Sequence, residues 1–151
     1  MSLRRRHAAA RTPVSFRHPI RIYWEDTDAA GIVFYANYLK FFERARTEWL
    51  RSLGFDQERL RADDGIAFVV TETTLRYRLP ARLDDMLEVT VRVVHGGQAS
   101  LEVAQEAWRA GDLLAEGSIR VGCVGLGTFR PRRVPDSILA KIRTSPHQQQ
   151  Q

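Results

Sequence analysis

Four consecutive residues, Glu25-Asp26-Thr27-Asp28, place three carboxyl groups just before the longest helical pattern of this 151-residue sequence. In an extended chain, Asp26 and Asp28 point to the same side and repel each other unless solvent or hydrogen bonds stabilise both charges. A carboxylate in this position can attack a carbonyl carbon or activate a water molecule for that attack. Asp28 is therefore a candidate catalytic residue, although an aspartate before a helix can also serve simply as an N-cap.

Two other roles for the acidic run conflict with its spacing. An EF-hand calcium loop starting at Asp26 would place Ala30 at its fifth position and Asn37 at its twelfth, where an oxygen ligand and a bidentate glutamate are needed. An aspartic-protease dyad needs two Asp-Thr-Gly loops, and here Asp28 precedes Ala29. Neither a calcium site nor a protease dyad is expected.

Residues 36–53 have the periodicity of one long amphipathic helix, and Gly54 follows in the position of a C-cap. The start of a helix presents unpaired N–H groups and a partial positive charge. A carbonyl oxygen placed there is polarised, as in an oxyanion hole, and each good donor contributes about 3–4 kcal/mol to catalysis. Gly31, between Asp28 and the helix, can adopt a positive φ or permit a close approach.

The remaining elements place this helix beside a sheet. Short turns join the later strands, so antiparallel neighbours are expected, and the sequence predicts an α+β domain with the helix against the sheet. Dimerisation would cover a sheet edge or face that this arrangement leaves free. Strands are predicted at 18–26, 66–78, 85–95, 98–109 and 113–126, and short helices after Asp56 and at 135–142.

The segment IRIYWEDTDAAGIVFYANYLKFFERARTEWLRSLGF closely resembles the signature of the hotdog-fold acyl-CoA thioesterases. It most resembles the Tol-Pal-associated (YbgC-type) branch of the 4-hydroxybenzoyl-CoA thioesterase family. Two later segments, RLPARLDDMLEVTVRV and CVGLGTFRPRRVP, resemble the same branch. This resemblance, over about residues 18–142, implies a hotdog fold, in which a five-stranded antiparallel sheet wraps around one long helix. It also implies dimers or tetramers with active sites between subunits, an acyl-CoA or acyl-carrier-protein substrate, and no metal or other cofactor.

The resemblance also implies roles for individual residues. Asp28 matches the family's catalytic aspartate, and Tyr35 matches the position whose backbone amide polarises the carbonyl, where many relatives carry histidine. Independently of the resemblance, Arg130, Arg132 and Arg133 follow the last predicted strand, where they could form either an anion site for the phosphates of coenzyme A, often shared with a neighbouring subunit, or a solvated basic turn. The residues expected to bind substrate are Gly31, Val33, Asn37, Tyr38 and Arg130, although Asn37 could instead cap the helix and core packing is the favoured role for Tyr38.

The net charge of +5 lies at the two ends of the sequence. Residues 1–17 contain five arginines and no acids, and residues 130–143 contain five basic residues and one acid, whereas residues 18–129 contain thirteen basic and seventeen acidic residues. A domain that binds nucleic acid through its body would show a basic face there, so nucleic-acid binding is not expected. The basic ends suggest tails or a local anion site.

Cys123 is the single cysteine, so an intrachain disulfide and a cysteine-based zinc site are excluded, and the reducing cytoplasm is the expected compartment. No secretory apolar stretch or membrane-spanning run is found. The expected organisation is an unstructured basic tail at 1–17, with a transit peptide as the alternative, one domain at 18–142 and an unstructured tail at 143–151.

Two alternatives to hydrolysis are considered. A non-catalytic adaptor for phospholipid-synthesis or Tol-Pal envelope proteins at the inner membrane would use the basic ends. A hotdog dehydratase would need a histidine with an acidic partner, and residues 25–43 contain no histidine. The acyl chain length, the carrier and the choice between nucleophile and general base stay open.

Overall fold

The computed structural model describes residues 16–145. The expected tails at 1–17 and 143–151 therefore lie mostly outside the described residues. Phe16 and Arg17 begin the first strand, and residues 143–144 end the last helix, so regular structure extends two residues beyond each expected domain boundary. Within residues 16–145, no helix is long and apolar enough to cross a membrane.

Five strands and three helices form the main regular structure of these residues. The helix expected at 36–53 and the four strands after it are confirmed, with ends shifted by at most two residues. A 3₁₀ turn at Trp24–Asp26 and a π-helical turn at Leu60–Asp64 complete the order. The elements are β1 (Phe16–Arg21), α1 (Asn37–Ser52), α2 (Gln57–Arg59), β2 (Ile66–Tyr77), β3 (Met86–Gly96), β4 (Ser100–Arg109), β5 (Asp112–Gly125) and α3 (Asp136–Thr144).

The strands form one antiparallel sheet in the order β1-β3-β4-β5-β2. β2 and β3 follow each other in the chain but are not neighbours in the sheet, so residues 78–85 cross the end of the sheet past β5 and β4. The apolar face of α1 packs on the sheet in one core, which confirms the expected α+β fold with a five-stranded sheet around one long helix. The buried α1 residues are Tyr38, Phe41, Phe42, Ala45, Trp49 and Leu50.

The first strand ends at Arg21, so the prediction of a strand to residue 26 is wrong. The Tyr23 N–H donates to Asp26 Oδ2 at 2.8 Å, and the Thr27 N–H donates to the Trp24 carbonyl at 3.0 Å. A short acidic side chain that accepts from nearby backbone competes with the strand ladder for those groups. Asp26 is thereby engaged in shaping a turn.

Gly117 on β5 allows α1 to approach the sheet closely. A Cβ atom there would lie 2.6 Å from Leu75 Cδ2, 2.8 Å from the Thr74 carbonyl oxygen and 3.2 Å from the Phe42 ring. The buried Gln105 side chain donates from Nε2 to the Phe42 carbonyl oxygen at 3.0 Å. This close packing sets the height of α1, and of its N-terminus, above the sheet.

Candidate active site

Residues 27–33 form a tight turn, here named the Asp28 loop. The Asp28 N–H donates to the Ile32 carbonyl oxygen at 2.8 Å, and the Asp28 carbonyl oxygen accepts from the Gly31 N–H at 3.0 Å. The carboxylate oxygen Oδ1 of Asp28 accepts from the Ala30 N–H at 2.8 Å. Gly31 has a φ of +77°, which confirms the expected positive φ and explains why glycine suits this turn.

Asp28 is exposed, and its second carboxylate oxygen, Oδ2, has no hydrogen-bond partner within residues 16–145. The N-cap of α1 is Ala36, and no side chain caps it. The interpretation of Asp28 as an N-cap of this helix is therefore wrong. Its side chain closes its own loop through one oxygen and presents the other to solvent.

Two hydrogen bonds join the acidic run to the start of α1. The Asp26 carbonyl oxygen accepts from the Phe34 N–H at 3.0 Å and from Asn37 Nδ2 at 2.8 Å. Asn37, expected to bind substrate, therefore uses its amide group to hold the chain that precedes Asp28. These two bonds tie the acidic run to the turn that leads into α1.

Tyr35 lies in the turn that leads into α1. The Asn37 N–H donates to the Phe34 carbonyl oxygen at 2.9 Å, which closes a four-residue turn with Tyr35 in its second position. No acceptor for the Tyr35 N–H is found in the described part of the chain. An unpaired N–H at the positive end of a helix is the kind of donor that stabilises an oxyanion.

Tyr77, at the end of β2, is a residue of this region that the sequence did not single out. Its hydroxyl donates to the Tyr35 carbonyl oxygen at 2.9 Å, and the two rings meet edge to face with centroids 6.3 Å apart. The period-two pattern of β2 could indicate the face on which Tyr77 lies. That pattern could not show that α1 begins beside Tyr77, because the contact between Tyr77 and Tyr35 joins residues 42 positions apart.

The structure places two of the candidate substrate-binding residues, Val33 and Tyr38, in the core, as favoured for Tyr38. The exposed fractions of Val33 and Tyr38 are 5% and 3%, so in the single chain neither side chain is accessible to a ligand. Burial raises the pKa of the Tyr38 phenol, and this effect is larger than the lowering by a hydrogen bond with the Ala81 backbone. The phenol therefore stays neutral at neutral pH.

Arg130 lies at the far end of the sheet from Tyr35. It follows β5, whose Gly125 pairs with Ile66 at the start of β2, whereas Tyr35 contacts Tyr77 at the end of β2. β2 has 12 residues, so it spans roughly 36 Å. Arg130 therefore cannot reach the Asp28 loop of its own chain.

A cavity of about 150 Å³ lies between the second half of α1 and the sheet, and no residue of the Asp28 loop lines it. Arg46 reaches it and donates from Nη1 to Gln105 Oε1 at 2.9 Å, and burial lowers the pKa of this guanidinium. The apolar lining of this cavity consists of Trp49, Leu50, Phe68, Val70, Leu101, Val103 and Val121. In residues 16–145, no group of three or more His, Cys, Asp or Glu side chains could hold a metal ion.

Comparison with known proteins identifies relatives over most of the chain. A family model described as the thioesterase-like superfamily matches residues 22–142. The acyl-CoA thioester hydrolase YbgC of Escherichia coli O6:H1 is 45% identical over 129 residues, which cover 85% of this chain and 96% of that protein. The acyl-CoA thioesterase YbgC of Haemophilus influenzae is 42% identical over 125 residues, covering 83% and 92%.

Solved structures also match the fold. A probable thioesterase from Bartonella henselae superposes with a TM-score of 0.77 at 30% identity, covering 80% of this chain and 99% of that one. A 1,4-dihydroxy-2-naphthoyl-CoA thioesterase from Synechocystis, 21% identical, has a TM-score of 0.80 and covers 86% and 96%. The second likeness concerns the fold alone.

Proposed function

The chain belongs to the thioesterase-like superfamily, and we infer that it is an acyl-CoA thioester hydrolase, which releases a carboxylic acid and free coenzyme A. We propose Asp28 as the catalytic carboxylate. One observation carries this assignment: Asp28 is exposed in a hydrogen-bonded loop, one of its carboxylate oxygens has no partner in residues 16–145, and the Asp26 backbone ties this region to the turn with the unpaired Tyr35 N–H.

Asp28 can act in either of two ways. As a nucleophile, its Oδ2 bonds to the thioester carbonyl carbon, the C–S bond breaks with departure of the thiolate, and water then hydrolyses the acyl anhydride. As a general base, it takes a proton from water while the water oxygen attacks the same carbon, and the C–S bond then breaks with departure of the thiolate. Both routes use the carboxylate in its ionised form.

The proposed oxyanion donor is the Tyr35 N–H. As the carbonyl carbon becomes tetrahedral, negative charge grows on its oxygen, and a donor already in place stabilises it without reorganisation. Because this donor belongs to the backbone, the phenol of Tyr35 is not needed for it. Gly31, which carries no side chain, allows the substrate to approach the loop backbone.

We propose a homodimer that pairs through the edge strand β2, with a tetramer as a pair of such dimers. The other edge strand, β1, has six residues and contains Pro19, which lacks an N–H. β2 has 12 residues and no proline, so it offers the longer row of backbone groups to a partner strand. Antiparallel pairing about a two-fold axis would set the start of one β2 beside the end of the other.

This pairing gives Arg130 a role. Because it lies at the start of β2 and Asp28 at the end, Arg130 of the partner subunit would approach the Asp28 loop across the two-fold axis. We expect Arg130→Ala to raise KM for acyl-CoA by about 10- to 100-fold, with kcat little changed, since a phosphate contact contributes equally to the ground and transition states. Steady-state kinetics measure both constants.

The control substrate is the same acyl group on pantetheine, which lacks the nucleotide phosphates. Its KM should not change in Arg130→Ala. The control variant is Arg133→Ala, because Arg133 lies in the same basic turn but pairs with Asp136 at 3.2 Å. Equal KM increases for coenzyme A and pantetheine thioesters would contradict phosphate binding by Arg130.

Hydrolysis itself is tested by free-thiol release from acyl-CoA substrates of short to long chain, with one acyl-carrier-protein thioester included. The expected result is catalytic release that defines the chain length and the carrier. The lone, buried Cys123 is compatible with a reducing cytoplasm, where we place this reaction. Absence of release from every substrate would contradict hydrolysis. It would favour an adaptor for phospholipid-synthesis or Tol-Pal envelope proteins, testable by pull-down with and without residues 1–17.

A further inference from the structure

Residues 79–85, here named the supporting loop, lie directly against the Asp28 loop. The Val33 N–H donates to the Ala81 carbonyl oxygen at 2.8 Å, and Ile32 forms a β-bridge with Arg82. The supporting loop is the part of the chain that crosses the end of the sheet between β2 and β3. The Asp28 loop is therefore paired with a crossing connection rather than with a strand of the sheet.

The supporting loop also holds the chain before the acidic run. The Ile22 N–H donates to the Asp85 carbonyl oxygen at 2.9 Å, and the Asp84 N–H donates to the Ile22 carbonyl oxygen at 3.0 Å. Both ends of the segment that contains Asp28 are thus hydrogen-bonded to the same seven residues. A shift of the supporting loop would move that whole segment relative to α1.

One ion pair ties the supporting loop to the sheet. Asp85 Oδ2 accepts from Arg109 Nη1 at 2.8 Å and from the Arg82 N–H at 2.9 Å. The same Nη1 donates to the Pro80 carbonyl oxygen at 3.0 Å, and Nη2 lies 4.0 Å from Asp112. Because Arg109 is the last residue of β4, this pair, here named the Arg109–Asp85 clamp, fixes the loop at both ends.

The clamp is charged and partly enclosed. The side chains of Arg109 and Asp85 retain 30% and 23% of their exposure, so solvent screens this pair less than a fully exposed one. Partial burial alone would raise the pKa of the Asp85 carboxyl. Hydrogen bonds from Arg109 and Arg82, together with the positive charges of both residues, lower this pKa by a larger amount. The net pKa lies below its ordinary value, so Asp85 is ionised at neutral pH.

We propose that the Arg109–Asp85 clamp positions Asp28 for catalysis, a role that rests on the proposed function. The clamp holds the supporting loop, the supporting loop holds Val33 and Ile22, and these set Asp28 relative to the Tyr35 N–H. A displacement of about 1 Å at a reacting group can reduce the rate by about 10²-fold. Arg109 and Asp85 are positioning residues that act without touching substrate.

The first test compares two alanine variants, Asp85→Ala and Glu116→Ala, because an amide oxygen at residue 85 could still accept from Arg109 and from the Arg82 N–H. Glu116 is the matched control because its ion pair with Arg78 has the same length, 2.8 Å, and ties the residue before the supporting loop, not the loop itself, to the sheet. At temperatures where circular dichroism shows both variants folded, Asp85→Ala should lower kcat by about 10- to 100-fold and change KM by less than about threefold. Glu116→Ala should keep wild-type kcat.

The second test measures amide exchange at Val33, which is independent of activity. Loss of the clamp should speed Val33 exchange in Asp85→Ala and in Arg109→Met, but not in Glu116→Ala. Arg109→Lys retains a positively charged hydrogen-bond donor, so it should show slower Val33 exchange and a higher kcat than Arg109→Met. A variant that merely lowers global stability would speed exchange throughout the core instead.

The outcomes separate the two proposals. An inactive wild-type chain would refute the proposed function itself. An active wild type with the same kcat and Val33 exchange in Asp85→Ala as in Glu116→Ala would refute only the positioning role. Failure of Arg109→Lys to recover more activity than Arg109→Met would also count against the clamp.

Discussion

Replacement of Asp28 by asparagine is expected to lower kcat for acyl-CoA hydrolysis by on the order of 10²–10⁴-fold. An amide oxygen can still accept the Ala30 N–H that Asp28 Oδ1 accepts at 2.8 Å, so the loop keeps its shape. What is lost is the negative charge and basicity of the group that attacks the carbonyl carbon or takes the proton from water. Thiol release under substrate saturation measures the effect.

The control for Asp28→Asn is Glu25→Gln, which removes one negative charge from the same acidic run. Glu25 is exposed and has no hydrogen bond within residues 16–145, so its loss should leave kcat near wild type. This comparison separates a specific catalytic carboxylate from a general effect of local charge. Near-wild-type turnover in Asp28→Asn would end the assignment of Asp28.

Replacement of Tyr35 by proline is expected to lower kcat by on the order of 10²–10³-fold, because it deletes the proposed oxyanion donor. Proline has no N–H, yet it suits this position, the second residue of a turn that leads into a helix. It also keeps the carbonyl oxygen that accepts from the Tyr77 hydroxyl at 2.9 Å. The change therefore removes a single backbone hydrogen-bond donor together with the phenol ring.

Two further variants separate the ring from the backbone at this position. Tyr35→Ala removes the ring and its edge-to-face contact with Tyr77 but keeps the N–H, and Tyr35→Phe removes only the hydroxyl. Both should retain most of kcat, and thermal unfolding should show all three variants folded. If Tyr35→Pro and Tyr35→Ala turn over substrate equally fast, the N–H of residue 35 is not the oxyanion donor.

The elements of this fold were predictable where one short stretch of sequence decides the outcome. The helical stripe through Phe41 and Phe42, with Gly54 after it, predicted α1 to within one residue at each end. Asp56 was expected to cap a short helix, and its Oδ1 accepts from the Arg59 N–H at 2.8 Å. Such patterns are local, because apolar periodicity and capping are decided within one or two helical turns.

The acidic run shows where local patterns compete. Alternation of apolar and polar residues predicted a strand through Asp26, but the Asp26 carboxylate captures the Tyr23 N–H and ends the strand at Arg21. The same run was compatible with a capping aspartate as well as with a catalytic one. Placement of the N-cap at Ala36 decided against capping by Asp28.

By itself, the sequence predicted the type and order of the main elements and singled out Asp28 and Gly31, and its family resemblance added Tyr35 to the same candidate unit. Tertiary structure alone decided which distant residues support that unit, including Tyr77, Asp85 and Arg109. The physical reason is that alternation assigns each strand residue to a face but does not identify the neighbouring strand. Here β2 pairs with β5, the last strand of the chain, so residues 78–85 must cross the sheet end, and that crossing brings them against Asp28.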